Sequence, residues 1–126
     1  MDDFLWEKLF LPLGFREVAW SHCPKGHAMG ATGLYIRVDD MVKLGALYMY
    51  GGVWKGKQLL SPEWVNTVLT RGYELNYAGF PNTYGKGGMA GQMLMVVTSE
   101  QRAVAWQGFD GGVLQDLIKF VAEYRD

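Results

Sequence analysis

The feature that most constrains the fold is a glycine-rich stretch that leads directly into an apolar run. Residues 84–92 read Tyr-Gly-Lys-Gly-Gly-Met-Ala-Gly-Gln, and the five residues of Met93–Val97 that follow are all apolar. The nearly continuous apolar run at residues 92–98 predicts a buried strand. A hairpin turn at residues 99–101 then predicts a second, shorter strand at residues 102–107. The sequence therefore predicts an antiparallel hairpin near the end of the chain.

The first third of the chain predicts one short helix followed by a loop. The helix runs from Asp2 or Asp3 to about residue 11, because apolar side chains share one of its faces and Pro12 stops it. Residues 15–31 lose hydrophobic periodicity and are interpreted as loop.

A stronger helix opens at Asp39 and Asp40, where apolar residues recur at helical spacing, and the glycine pair at residues 51–52 ends it. Asp39, Asp40 and Lys43 are interpreted as charges that cap and solvate this helix. Residues 53–60 then predict a tight turn between two short extended pieces.

A third helix begins at Ser61, which is a typical N-cap because Pro62 follows it in the first turn. Residues 73–84 are interpreted as a polar and aromatic loop. A last helix is predicted at residues 112–124, and its expected inner stripe consists of Val113, Leu114, Leu117, Ile118, Val121 and Tyr124. The predicted fold class is α+β: the hairpin packs on the last helix, and the other helices group to one side.

Composition limits the chain to one domain and excludes several functions. The 126 residues suit a single domain, residues 1–126. A net charge of −1 provides no basic field for nucleic acid, and no apolar stretch is long enough to cross a bilayer. Cys23 is the single cysteine, so no disulfide forms within the chain. The acidic start lacks the cationic character of a signal peptide, which leaves cytoplasm and cell envelope both open.

The glycine cluster is also the first candidate for a functional site. Unshielded backbone N–H groups and the single cation Lys86 would converge at the entrance of the buried strand, which suits a carboxylate or a developing oxyanion. The alternative is that these glycines mark only a tight bend or a bulge.

A His-Cys-x-x-x-His run at residues 22–27 raises the question of a metal site. His22, Cys23 and His27 are three possible zinc ligands, but the usual zinc spacings are absent and no further cysteine follows. The competing interpretation is that Cys23 is a small buried residue. We therefore assign no metal ligand.

Several segments, in the same order along the chain, resemble the superfamily of serine hydrolases that contains class C β-lactamases, penicillin-binding-protein-like proteins and esterases. Residues 9–15 (Leu-Phe-Leu-Pro-Leu-Gly-Phe) resemble the family's "lF-x-PLGM" segment. Residues 30–45 resemble its "GGL-x-s-t-a-x-D-lakfG" helix, and residues 51–65 its "nGG-x-w-nGk-rlls-pew-v" segment. Residues 88–92 resemble the "GG-x-GGQ" strand start.

The resemblance implies a β-lactamase/transpeptidase-like fold, of which this chain covers the C-terminal part. The family's Ser-x-x-Lys nucleophile and its Tyr-x-Asn element both lie upstream of the segment that residues 9–15 resemble. No serine here has a lysine three positions later: Ser21, Ser61 and Ser99 are followed at that spacing by Pro24, Trp64 and Arg102. The nucleophile-bearing part is therefore absent from this chain.

The third catalytic element of the family is a Lys/His-Thr/Ser-Gly box, and Lys86-Gly87-Gly88 falls at the corresponding place. The resemblance implies that Lys86 and Gly88 are catalytic positions and that Met89 supplies an oxyanion-hole amide. It implies substrate binding by Tyr84, Gly87 and Gln92, without a cofactor or a metal. Gly87 departs from the pattern, because a hydroxyl is usual there, and this argues against a true β-lactamase.

Two functions follow as hypotheses. The chain is the C-terminal segment of a serine hydrolase acting on an amide, ester or β-lactam-type substrate, inactive until an upstream half completes it. Alternatively, it is a non-catalytic relic of the fold that serves as a binding module. Because upstream strands would complete the family's sheet, we expect an open edge and an apolar face at residues such as Met93, Met95, Val97, Val104 and Trp106. This surface predicts a homo-oligomer, with exchange of strands or helices as one way to form it.

Overall fold

A computed structural model describes residues 2–30, 32–72, 75–88, 91–108 and 113–125 of the chain. The helical segments are α1 (Asp2–Leu5), a π-helical segment that continues it (Trp6–Phe10), α2 (Val38–Met49), α3 (Pro62–Arg71), a short 3-10 turn (Thr98–Glu100) and α4 (Leu114–Glu123). The strands are β1 (Val18–Trp20), β2 (Leu34–Ile36), β3 (Val53–Trp54), β4 (Lys57–Gln58), β5 (Asn76–Tyr77), β6 (Thr83–Gly87), β7 (Met93–Val97) and β8 (Arg102–Trp106).

The main sheet has four antiparallel strands in the order β5-β6-β7-β8. Two smaller antiparallel pairs, β1 with β2 and β3 with β4, lie apart from it. The α+β class and the hairpin of β7 and β8 are confirmed. No helix in the described ranges has both the length and the apolar content needed to cross a bilayer.

Strand β7 is the centre of the sheet, and both of its faces are buried. Leu94 and Val96 contribute to a core with side chains of α2 and α3, whereas Met95 and Val97 contribute to a second core with side chains of α4. Strands buried on both faces read as continuous apolar runs, because neither face meets water. This double burial explains the unbroken apolar sequence of β7.

Helix α2 approaches the sheet closely at a glycine. A Cβ atom added to Gly45 would lie 2.8 Å from Cδ1 of Leu94 and 3.2 Å from Cβ of Ala103, which is closer than ordinary packing. Glycine at this position therefore lets α2 rest directly on β7 and β8.

Helix α4 covers the other face of the sheet, and here two predictions need correction. The expected uncovered face is wrong for Met95 and Val97, whose exposures are 0% and 1%, because Ile118 and Val121 of α4 pack on them. The expected inner stripe is also partly wrong. Leu114, Ile118 and Val121 face the core, whereas the outer side of the helix carries four exposed apolar side chains: Val113, Leu117, Phe120 and Tyr124.

The segment before β1 packs on the far side of α2. This part of the core is a buried cluster of four side chains: Phe10, Leu13, Phe15 and Leu47. The rings of Phe10 and Phe15 stack with their centroids 5.0 Å apart. The predicted helix at the start of the chain is confirmed, and the predicted loop at residues 15–31 is confirmed in its described part except at a short strand and a bridge. Val18–Trp20 forms β1, which pairs with β2, and a β-bridge joins His22 to Ala28.

A partly buried ion pair connects this segment to α2. Asp40 is only 3% exposed, and its Oδ1 lies 2.7 Å from Nζ of Lys43, which also donates a hydrogen bond to the carbonyl of Gly14 over 3.3 Å. The same ammonium lies 5.8 Å from the centre of the Phe15 ring. The interpretation of Asp40 as a solvated charge is therefore wrong, because the loop at Gly14 and Phe15 and the Lys43 side chain cover it, whereas Lys43 stays partly exposed.

Replacing Lys43 with methionine should destabilise the protein by about 2–4 kcal/mol, because it leaves the Asp40 carboxylate buried without its counter-charge. Urea denaturation followed by circular dichroism measures the difference. The exposed Lys119 of α4 is the matched control, since Lys119→Met should change stability by less than about 0.5 kcal/mol.

A second substitution separates the charge effect from the loss of lysine packing. The double variant Asp40→Asn with Lys43→Met no longer carries a buried charge, and it should recover a large part of the lost stability. A double variant as unstable as the sum of its single variants would contradict this role of the ion pair.

Candidate anion-binding site around Lys86

Lys86 lies on β6, not at the entrance of the following strand. Residues 83–87 were expected to be loop and strand entrance, but they pair along their whole length with β7, and Lys86 stands opposite Leu94. Directly paired residues of an antiparallel ladder share a face of the sheet. The Lys86 side chain therefore lies on the face that carries α2 and α3, at the exposed end of the strand.

The charge of Lys86 is not neutralised within the described ranges. Its partner on β7, Leu94, is apolar, and no carboxylate in the part of the chain that the structure describes lies within ion-pair distance of Lys86. An exposed ammonium above an apolar strand can attract an anionic group from solution.

The Gly88 amide is not the free donor that the sequence suggested. The Gly88 N–H donates a hydrogen bond of 2.9 Å to the carbonyl of Gln92, which extends the pairing of β6 and β7 by one step. The Gln92 side chain packs against Gly88, where an added Cβ would lie 2.6 Å from Oε1. The Gly88 amide is therefore occupied, and the expected oxyanion amide of Met89 lies outside the described residues.

The turn between β6 and β7 is held from a second direction. Gly91 has a backbone φ of 92°, in the left-handed region that favours glycine, and its carbonyl accepts a hydrogen bond of 3.0 Å from Nε1 of Trp106. This contact joins the turn to β8, so the position of Lys86 depends on all three strands.

The other predicted substrate-binding residues have different surroundings. Tyr84 stands opposite Val96 and packs partly against the core beneath α2 and α3. Gly87 is exposed, and a Cβ there would meet the Gln92 carbonyl oxygen and Cε of Met93 at 3.7 Å, an ordinary contact distance. The structure therefore places Lys86, Gly87, Gly88 and Gln92 together at the end of β6. Tyr84, two residues before Lys86 on the same face of the strand, lies nearer the core.

The three serines lie apart from this group in the fold. Ser61 caps α3, and its Oγ accepts a hydrogen bond of 3.1 Å from the Trp64 N–H. Ser99 lies in the 3-10 turn at the opposite end of β7 from Lys86. Ser21 follows β1, with its Oγ 3.5 Å from the Tyr35 hydroxyl.

The His-Cys-x-x-x-His run forms a turn. The Cys23 N–H donates to the His27 carbonyl over 2.9 Å, and the His22 ring lies 3.5 Å from the Asp2 carboxylate. In the described ranges, no three histidine, cysteine, aspartate or glutamate side chains converge on a point that could hold a metal ion.

Sequence reasoning missed the strand that carries the site. Residues 83–87 (Thr-Tyr-Gly-Lys-Gly) contain two glycines, which are unfavourable in strands, so their propensity indicates loop. These residues form a strand nevertheless, because they pair along their whole length with β7. Thr83 and Tyr84, directly before the glycine cluster, could have indicated the strand, because threonine and tyrosine are common in strands.

No protein-family model matches the chain, and no curated protein is significantly similar to it. The resemblance to serine hydrolases therefore rests on the segments quoted for it.

The geometry predicts that the hydroxyl usual in the family's box is accommodated more easily at Gly87 than at Gly88. Gly87→Thr should not lower the free energy of unfolding, because its Cβ meets only ordinary contacts and threonine favours strands. Gly88→Thr should lower it by about 1 kcal/mol, because its Cβ must displace the end of the Gln92 side chain from its present contacts.

Thermal and urea unfolding of the two variants provides a matched comparison one residue apart. Equal losses at the two positions, or a larger loss at Gly87, would contradict the described packing of Gln92.

Proposed function

We propose that this chain is the C-terminal segment of a serine hydrolase related to class C β-lactamases, and that β6 forms one wall of its acyl-transfer site. The substrate is a small molecule with an amide, ester or β-lactam-type carbonyl. An upstream half, with the nucleophilic serine and its lysine, completes the site. The proposed fold is the matching part of the β-lactamase/transpeptidase-like architecture.

The observation that carries the proposal is the Lys86 ammonium. It is exposed on β6 beside Gly87, it stands opposite the apolar Leu94, and no carboxylate in the described residues pairs with it. A charge in this position can bind a substrate carboxylate or stabilise an oxyanion as negative charge develops. The match of residues 86–88 to the family's Lys-Thr/Ser-Gly box assigns this same role to Lys86.

The outer edge of the sheet supports completion by another segment. β8 is the last strand of the four-stranded sheet, and an edge strand presents backbone groups for a further strand. Arg102 of β8 donates hydrogen bonds to the carbonyls of Val121 and Tyr124 and lies 5.0 Å from the centre of the Tyr124 ring. The exposed stripe on α4 therefore adjoins this edge.

The alternative is a non-catalytic module that keeps the fold and uses Lys86 only to bind an anion. The occupied amide of Gly88 favours it, because this N–H already donates to Gln92. The two functions differ in one measurable property, since only the enzyme forms an acyl adduct on a serine when an upstream half is present.

Lys86→Ala tests the catalytic role in the completed protein, with the upstream half supplied in the same polypeptide or by co-expression. The variant should lower kcat/KM for nitrocefin or p-nitrophenyl butyrate about 100-fold or more, because one oxyanion-stabilising group is lost. Lys57→Ala, which removes an exposed lysine from β4, is the control and should leave the rate unchanged.

The chain without an upstream half should hydrolyse neither compound. A stable acyl adduct on Ser21, Ser61 or Ser99 of the chain alone would refute the proposal. If the completed protein acylates equally fast with and without Lys86, then Lys86 has no catalytic role, and residues 86–88 are only a bend in the strand.

We also expect the chain alone to self-associate, since the exposed stripe of α4 adds apolar surface beside the open edge. Phe120 is 63% exposed, so Phe120→Lys should leave the fold intact and shift a dimer toward monomer. Gln115→Lys, on the same helix but off the stripe, should have no effect.

Light scattering over a range of concentrations measures this equilibrium. A compact wild-type monomer at high concentration, without binding of a dye for apolar surface, would contradict self-association.

A further inference from the structure

We draw no further inference here: the strongest candidate, the polar hollow at the start of α2, opens to solvent and its cations Arg37 and Lys43 already pair with Asp39 and Asp40, and the same holds for the hollow beside β1, where the Asp2 carboxylate already pairs with His22.

Discussion

The burial of β7 on both faces is the constraint on which the rest of the structure depends. Met95 and Val96 are each 0% exposed although they point to opposite sides of the sheet. Helices α2 and α3 must cover one side and α4 the other, because an uncovered face would leave a row of apolar side chains in water. Gly45 allows α2 to approach the sheet closely, and Ile118 and Val121 form the contact between α4 and the other face.

The candidate site follows from the same strand. The register of β6 against β7 puts Lys86 opposite Leu94, and the bond from Gly88 to Gln92 continues that register into the turn. A shift of one residue would turn Lys86 to the α4 face. The lysine is thus positioned by the most buried part of the protein, and a group held on such a rigid element suits binding or catalysis.

Two surfaces lie away from this site and have different chemistry. Among the described strands β8 pairs on one side only, and α4 carries an exposed apolar stripe nearby. The hollow beside β1 opens to solvent and is lined by indoles and carboxylates.

The amino-acid sequence alone determined the elements whose signals are local. The N-cap of α3 at Ser61, the helical spacing of α2 and the apolar run of β7 were all predictable, because each depends on neighbours a few residues away. Only the tertiary structure decided three other features: that residues 83–87 form a strand, that Asp40 is buried with Lys43, and that the outer stripe of α4 stays exposed. Each of these features depends on a segment distant in the chain. The strand at residues 83–87 needs its ladder with β7, the burial of Asp40 needs the loop at Gly14, and the exposed stripe results because the sheet covers only one side of α4. Local propensity contains no information about such partners.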